Sequence, residues 1–228
     1  SRNSGVYGIQ LSRAVGVQLS CLTVSNAYIG IRAENSQGIG LDRVRAGYCF
    51  TNAIYAGDGV QITMARIIAE HNQSVGIMTR TGSVVKIQNS LFRDNALAGL
   101  YVSGGAVEIK NSILEATGTR EFAYYRNGGT FVSDYNNIRI SDGASVAGND
   151  VRAADRFLID WQRSTGFAND KNSFGYPSLF ANDAAMDFHL KSAYGRWVPG
   201  YGWTNDPVTS RLIDLGELPP GTYSDYSN

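Results

Sequence analysis

The chain has 228 residues, 20 Lys+Arg against 20 Asp+Glu, and a formal charge of zero. That balance offers no phosphate-tracking surface, so nucleic acid is not an expected partner. The two histidines, His71 and His189, stand apart from any Cys/His metal spacing, and no stretch of about 18 apolar residues is present to cross a membrane.

Ser1 to Ser4 read as a turn into Gly5, inside a repeat rather than ahead of one. Upstream coils, or another chain covering the N-terminal end, are therefore expected, because an uncovered coil exposes strand edge and core. The pair Gly8-Ile9 then recurs as Gly30-Ile31, Ala53-Ile54, Gly76-Ile77, Gly99-Leu100 and Ala123-Tyr124, at spacings of 22, 23, 23, 23 and 24 residues. Each start leads through a polar turn to an alternating run: Val17-Gln18-Leu19, Ile39-Gly40-Leu41, Val60-Gln61-Ile62, Val85-Lys86-Ile87 and Val107-Glu108-Ile109. A further apolar group follows, as in Leu22-Thr23-Val24, Ile67-Ile68, Leu91-Phe92 and Ile113-Leu114. Self-similarity at a fixed period means a solenoid, since one repeat cannot bury its own apolar face. A leucine-rich repeat fits the period but wants Leu-dense motifs and a helical return. Val and Ile at period two, broken by Gly, Ser, Asn and Asp, predict strands and turns instead. Three short strands per turn describe an all-β parallel β-helix of about six coils over residues 1–140.

Asn26, Asn72 and Asn95 lie 46 and 23 residues apart, which predicts a column of stacked amides. Cys21 and Cys49 occupy different places in adjacent repeats; the spacing implies no disulfide and reads as two buried thiols. The pattern changes after residue 134. Residues 141–228 are expected to pack on the coils as an extension of the same domain, with a short helix from about Ala153 to Thr165 ended by Gly166. Trp197, Tyr201 and Trp203 in that tail are read as aromatics that pack it down.

One column carries candidate chemistry. Two residues past each start lie Gln10, Arg32, Tyr55, Met78, Tyr101 and Tyr125. If the residues between point inward, this column points outward. Two residues further come Ser12, Glu34, Gly57, Arg80, Ser103 and Asn127, with Arg126 one place off that register. Tyr rings stack on sugars and Arg forks onto carboxylate or sulfate. Arg32, Tyr55, Arg80, Tyr101, Tyr125 and Arg126 are therefore the candidate carbohydrate-binding residues. The competing reading is that the tyrosines suit a strand and are half covered by the tail.

The repeats resemble right-handed parallel β-helix proteins of the pectate-lyase-like superfamily. The segments SDYNNIRISDGASVAG, WQRSTGFANDKNS, PSLF, DFHLKS, GRW and SRLIDLG resemble the end of large secreted bacterial β-helix proteins, in which the chain commonly continues past this point. The resemblance implies a secreted or cell-surface location, a polysaccharide partner, and lyase, epimerase or glycosidase activity among relatives. A glycosidase needs two flanking carboxylates, and in the polygalacturonase-like members these precede the Gly-Ile strand. Here only Glu121 is acidic in those segments, so no catalytic residue carries over. Some lyases hold Ca²⁺ between carboxylates of adjacent coils, but no column of acids is visible and no cofactor is expected. Lys86 and Glu108 share a column and read as a cross-strand surface pair. The resulting expectation is an extracellular segment that binds or helps process a polysaccharide without a catalytic constellation of its own. The alternatives are a lyase or epimerase with Tyr101 as base and Arg80 or Arg126 as neutraliser, and a structural or adhesive spacer.

Overall fold

Alternating Val and Ile keep one side of each short segment apolar, and burying that side requires a neighbour in register. The computed structural model, which describes residues 5–151, 154–198 and 200–217, supplies it. A first sheet stacks seven parallel strands: Tyr7–Ser12, Ile29–Glu34, Ile54–Ala56, Val75–Thr79, Ala98–Val102, Phe122–Arg126 and Ser145–Gly148. A second sheet of ten strands bends into two arms. One arm carries Gln61–Ala65, Val84–Gln88, Ala106–Lys110 and Thr130–Asp134; the other carries Ile68–Glu70, Leu91–Arg93, Ile113–Thr117 and Asn137–Ser141. Gln18–Ser25 and Ile39–Gly47 run through both. This is a parallel β-solenoid. The stack runs on to Gly148, beyond the boundary expected at residue 140. The Ser1–Ser4 turn lies outside the described residues.

The bend between the arms is local backbone chemistry. Cys21, Arg43, Arg66, Asn89, Asn111 and Tyr135 all have φ between 50 and 55°, the left-handed region that non-glycine residues seldom adopt. One such residue per coil turns the strand through the corner and aims its side chain outward. Cys21 is consequently exposed rather than buried, while Cys49 is buried, and both are free. The recurring Gly has a packing cause. A Cβ on Gly76 would sit 2.5 Å from the Gly99 carbonyl oxygen and 3.0 Å from the Phe92 ring. Ile31, Ile54, Ile77 and Leu100 follow each start and are fully buried in one continuous core.

Two register expectations need correction. Ile39-Gly40-Leu41 pairs with Ile62-Thr63-Met64, not with Val60-Gln61-Ile62, so Thr63 stacks between Gly40 and Lys86. The amide column also differs. Ser25 pairs with Gly47, so the first coil is one residue short and Asn26 aligns with Tyr48 at a left-handed turn. The inward column is Ala27, Cys49, Asn72 and Asn95. There Asn72 Nδ2 donates to Asn95 Oδ1 at 2.8 Å, Asn95 Nδ2 to the Ala69 carbonyl at 3.0 Å, and the Cys49 N–H to Asn72 Oδ1 at 3.0 Å. A second ladder occupies another corner. The Ile67 N–H donates to Ser90 Oγ (3.1 Å), Ser90 N–H to Ser112 Oγ (3.2 Å), and Ser112 N–H to Asn136 Oδ1 (3.0 Å). These side chains satisfy turn amides that strand pairing leaves over.

The end of the core is closed from residues 154–175. An antiparallel bridge from Asp155 to Ala147 keeps that segment extended, so the helix is the shorter Leu158–Ser164. The start expected at Ala153 lies outside the described residues. Trp161 is buried against Tyr124 (5.9 Å between centroids) and Phe131 (6.2 Å). Beneath it Asp170, fully buried, accepts from Trp161 Nε1 (2.8 Å), Ser173 Oγ (2.6 Å), Ser133 Oγ (2.5 Å), Asn136 Nδ2 (3.2 Å) and the Tyr124 hydroxyl (3.5 Å). Burial raises the Tyr124 phenol well above its usual range.

Residues from Tyr176 on form a separate compact unit. It contains two hairpins, Phe180–Asn182 with Asp187–Leu190 and Arg196–Val198 with Gly202–Thr204. Arg196 anchors the second to Asp206 (2.9 Å) and Asp187 (3.4 Å). Trp197 and Trp203 pair across the strands, and they and Tyr201 are exposed. No helix among the described residues is long and apolar enough to cross a membrane.

Candidate functional site

The first sheet brings the candidate column together. Gln10, Arg32, Tyr55, Met78, Tyr101 and Tyr125 pair in sequence on adjacent strands. Parallel neighbours lie about 4.8 Å apart, so the side chains form a continuous stripe along the solenoid axis. Arg32, Tyr55, Met78, Tyr101 and Tyr125 are each half-buried.

At one end Arg32 is committed within the protein. Its guanidinium bonds Glu34 at 2.5 Å and the Tyr7 hydroxyl, and lies over the Tyr7 and Tyr55 rings at 4.7 and 5.7 Å. Glu34 is the main cause of the raised Arg32 pKa. A fork aimed at an external carboxylate would have to break that pair. Tyr7, missed in the sequence because it precedes the repeating pair, completes this end.

The other end is a polar network around two tyrosines. Tyr101 and Tyr125 meet edge to face at 5.2 Å, and Phe122 meets Tyr125 at 5.0 Å. The Tyr125 hydroxyl donates to Asp150 Oδ1 at 2.6 Å, and Asn127 Nδ2 donates to the Tyr101 hydroxyl at 2.9 Å and to Asp150. The Asp150 bond raises the Tyr125 pKa to about 12. Asp150 gave no signal in the sequence, because it follows a strand that lay past the recognised repeats.

The three arginines separate. Arg80 is exposed beside Met78, and its side chain makes no ion pair or hydrogen bond among the described residues. Arg126 pairs with Val102 and so belongs to the inward column, with Asn127 taking the outward place. Its guanidinium lies over Phe131 (4.9 Å) and Trp161 (5.5 Å) at the end of the core. The final coil keeps the period-two register, which is why Arg126 leaves the stripe. Lys86 and Glu108 are cross-strand neighbours, but Glu108 forms its ion pair with Lys110 at 3.7 Å. Burial raises the pKa of Glu121, whose carboxylate accepts the Thr117 N–H at 3.0 Å, a turn-closing role. No three His, Cys, Asp or Glu side chains among the described residues converge as a metal site.

The acids on this face are far apart. Glu34 and Asp150 share a column and are separated by five coils, about 24 Å at the inter-strand spacing. Glycoside hydrolysis by a carboxylate pair needs roughly 5 to 9.5 Å.

A family model described as a right handed beta helix region matches residues 2–152, well over half of the chain. No curated protein and no solved structure matches it.

Proposed function

This chain belongs to the right-handed β-helix family, and on that premise we propose that the tyrosine face of its first sheet is a non-catalytic binding surface for an extracellular polysaccharide, in a protein of pectate-lyase-like descent. The observation that carries this reading is the aligned stripe of Tyr55, Met78, Tyr101 and Tyr125, with Arg80 exposed beside it. Tyr101 and Tyr125, one coil apart, and Tyr55, two coils from Tyr101, offer aromatic surface to sugar units along the axis, hydroxyls at the Asn127–Asp150 end exchange hydrogen bonds with theirs, and Arg80 supplies the charge for an acidic unit. The separation of Glu34 from Asp150 favours binding over hydrolysis. In the lyase or epimerase alternative Tyr101 removes a proton and Arg80 or Arg126 neutralises the uronate, but Arg126 stands in the inward column over Phe131 and Trp161, which leaves Arg80 alone for that role.

The test is a glycan array followed by calorimetry on Tyr101→Ala and Arg80→Ala. Tyr101→Ala lowers affinity about tenfold or more, for loss of about 1–3 kcal/mol of contact. Arg80→Ala weakens acidic glycans and spares neutral ones. Removing the Tyr101 ring from an outward face leaves no core cavity. The lost contact with Tyr125 is worth about 1 kcal/mol, so Tm falls only about 2–4 °C. An array on which no polysaccharide binds, or binding indifferent to Tyr101→Ala, overturns the reading. Unsaturated uronate products from a pectin digest would replace it with the lyase.

A further inference from the structure

The second sheet carries a depression that the stripe does not explain. Along one column Gln18, Gly40, Thr63 and Lys86 stack on successive strands, and along the next Asp42 stacks on Ala65. Gly40, Thr63 and Ala65 are too small to fill the face between their longer neighbours, which leaves a hollow of about 530 Å³. Gln18, Gln61, Lys86, Asp42 and Arg66 ring it.

The rim has a definite electrostatic character. Asp42 is bonded by Arg66 at 2.5 Å and by Arg43 at 3.1 Å. Arg66 above all, with Arg43, holds its carboxylate below the usual range. Within the lining Arg66 and Asp42 cancel. Lys86 is the uncompensated charge, and its ammonium pairs with no group among the described residues. Glu108, the nearest acid in its column, is bonded to Lys110 instead. The Gln18 and Gln61 amides and the Thr63 hydroxyl are exposed and offer both donors and acceptors. Val84 and Ala65 add a small apolar patch. Converging donors and acceptors around a flat floor, with one uncompensated cation, suit a polyhydroxylated ring with one anionic substituent.

We propose that this hollow is a second carbohydrate site, which takes one sugar residue bearing a carboxylate or sulfate group. The acidic group lies against Lys86, and the hydroxyls meet Gln18, Gln61 and Thr63. The site stands on the opposite sheet from the tyrosine stripe and does not depend on it.

The test is an amide-resolved NMR titration of the whole chain with galacturonate trisaccharide, glucose 6-sulfate and, as a neutral control, maltotriose. Acidic probes shift the amides of Gly38, Gly40, Gln61, Thr63 and Ala65, and maltotriose leaves them in place. A response to only one acidic probe identifies which anion the site takes. Lys86→Ala and Gln61→Ala each weaken binding about tenfold, while the unchanged remainder of the spectrum reports an intact fold, as expected for side chains on an outward face. Tyr101→Ala leaves these shifts unchanged, so a stripe that fails to bind and a hollow that fails to bind give different results. Absence of shifts at millimolar probe, an equal response to maltotriose, or an affinity unchanged by Lys86→Ala overturns the proposal.

Discussion

Replacing Asp170 by Ala should open the end of the core. Its carboxyl accepts from Ser133, Asn136, Ser173, Trp161 and the Tyr124 hydroxyl, the last at a long 3.5 Å. Tyr124, Asn136 and Asp170 are fully buried, and Trp161 and Ser133 nearly so, so water cannot readily replace the lost acceptor. A buried donor left unpaired costs about 1–3 kcal/mol. Ser133 and Ser173 can rotate their hydroxyls to other acceptors, and Asn136 Nδ2 keeps the Ile109 carbonyl at 3.2 Å and the Tyr124 hydroxyl at 3.4 Å, whereas the Trp161 indole is held by packing. One stranded donor gives a loss of about 1–3 kcal/mol, a large part of a typical domain's total stability. Asp170→Asn should recover part of it, because one amide oxygen still accepts while the NH₂ faces donors. Urea unfolding measures both values, and Trp161 fluorescence reports whether the indole has left its site. A loss below 1 kcal/mol for Asp170→Ala, with Trp161 emission unchanged, would refute the view that this carboxyl fastens residues 158–175 to the last coils.

Asn72→Leu should cost about 2–4 kcal/mol in the same assay, because Cys49 N–H and Asn95 lose their partner in a buried ladder; an unchanged Tm removes the ladder from the account. The folded Tyr125 phenol titrates near 12 rather than 10, so its contribution is complete below pH 10 and is lost as pH rises from 10 to 12. Tyr125→Phe should flatten that part of the stability profile, and a slope identical to the parent would refute the Asp150 bond as its source. Gly129→Ala should destabilise the turn before the last strand of its arm, since φ is 74° and a Cβ would lie 2.3 Å from the Gly105 carbonyl oxygen. A melting temperature equal to the parent's would show that the turn can relax.

The recurring Gly-Ile pair and the alternation around it were enough to read the solenoid, its period and the outward column from Arg32 to Tyr125, because strand parity is local: one residue in two faces the core whatever the rest of the chain does. The same parity would have placed Arg126 inward had the last coil been trusted to keep register. Other features depended on closure around the core. Whether Asn26 or Ala27 stands under Cys49 is decided by a one-residue difference in coil length, which appears only when Ser25 is seen opposite Gly47. The engagement of Arg32 by Tyr7, the link from Asp150 to Tyr125, and the hollow over Gly40, Thr63 and Ala65 each join residues more than twenty positions apart. So does the gathering of Ser133, Asn136 and Tyr124 on Asp170, though Asn136 and Ser133 are near neighbours in the chain. Periodicity predicts which face a side chain takes; which partner it meets there depends on the register of stacked coils and on a closing segment that has no repeat to read.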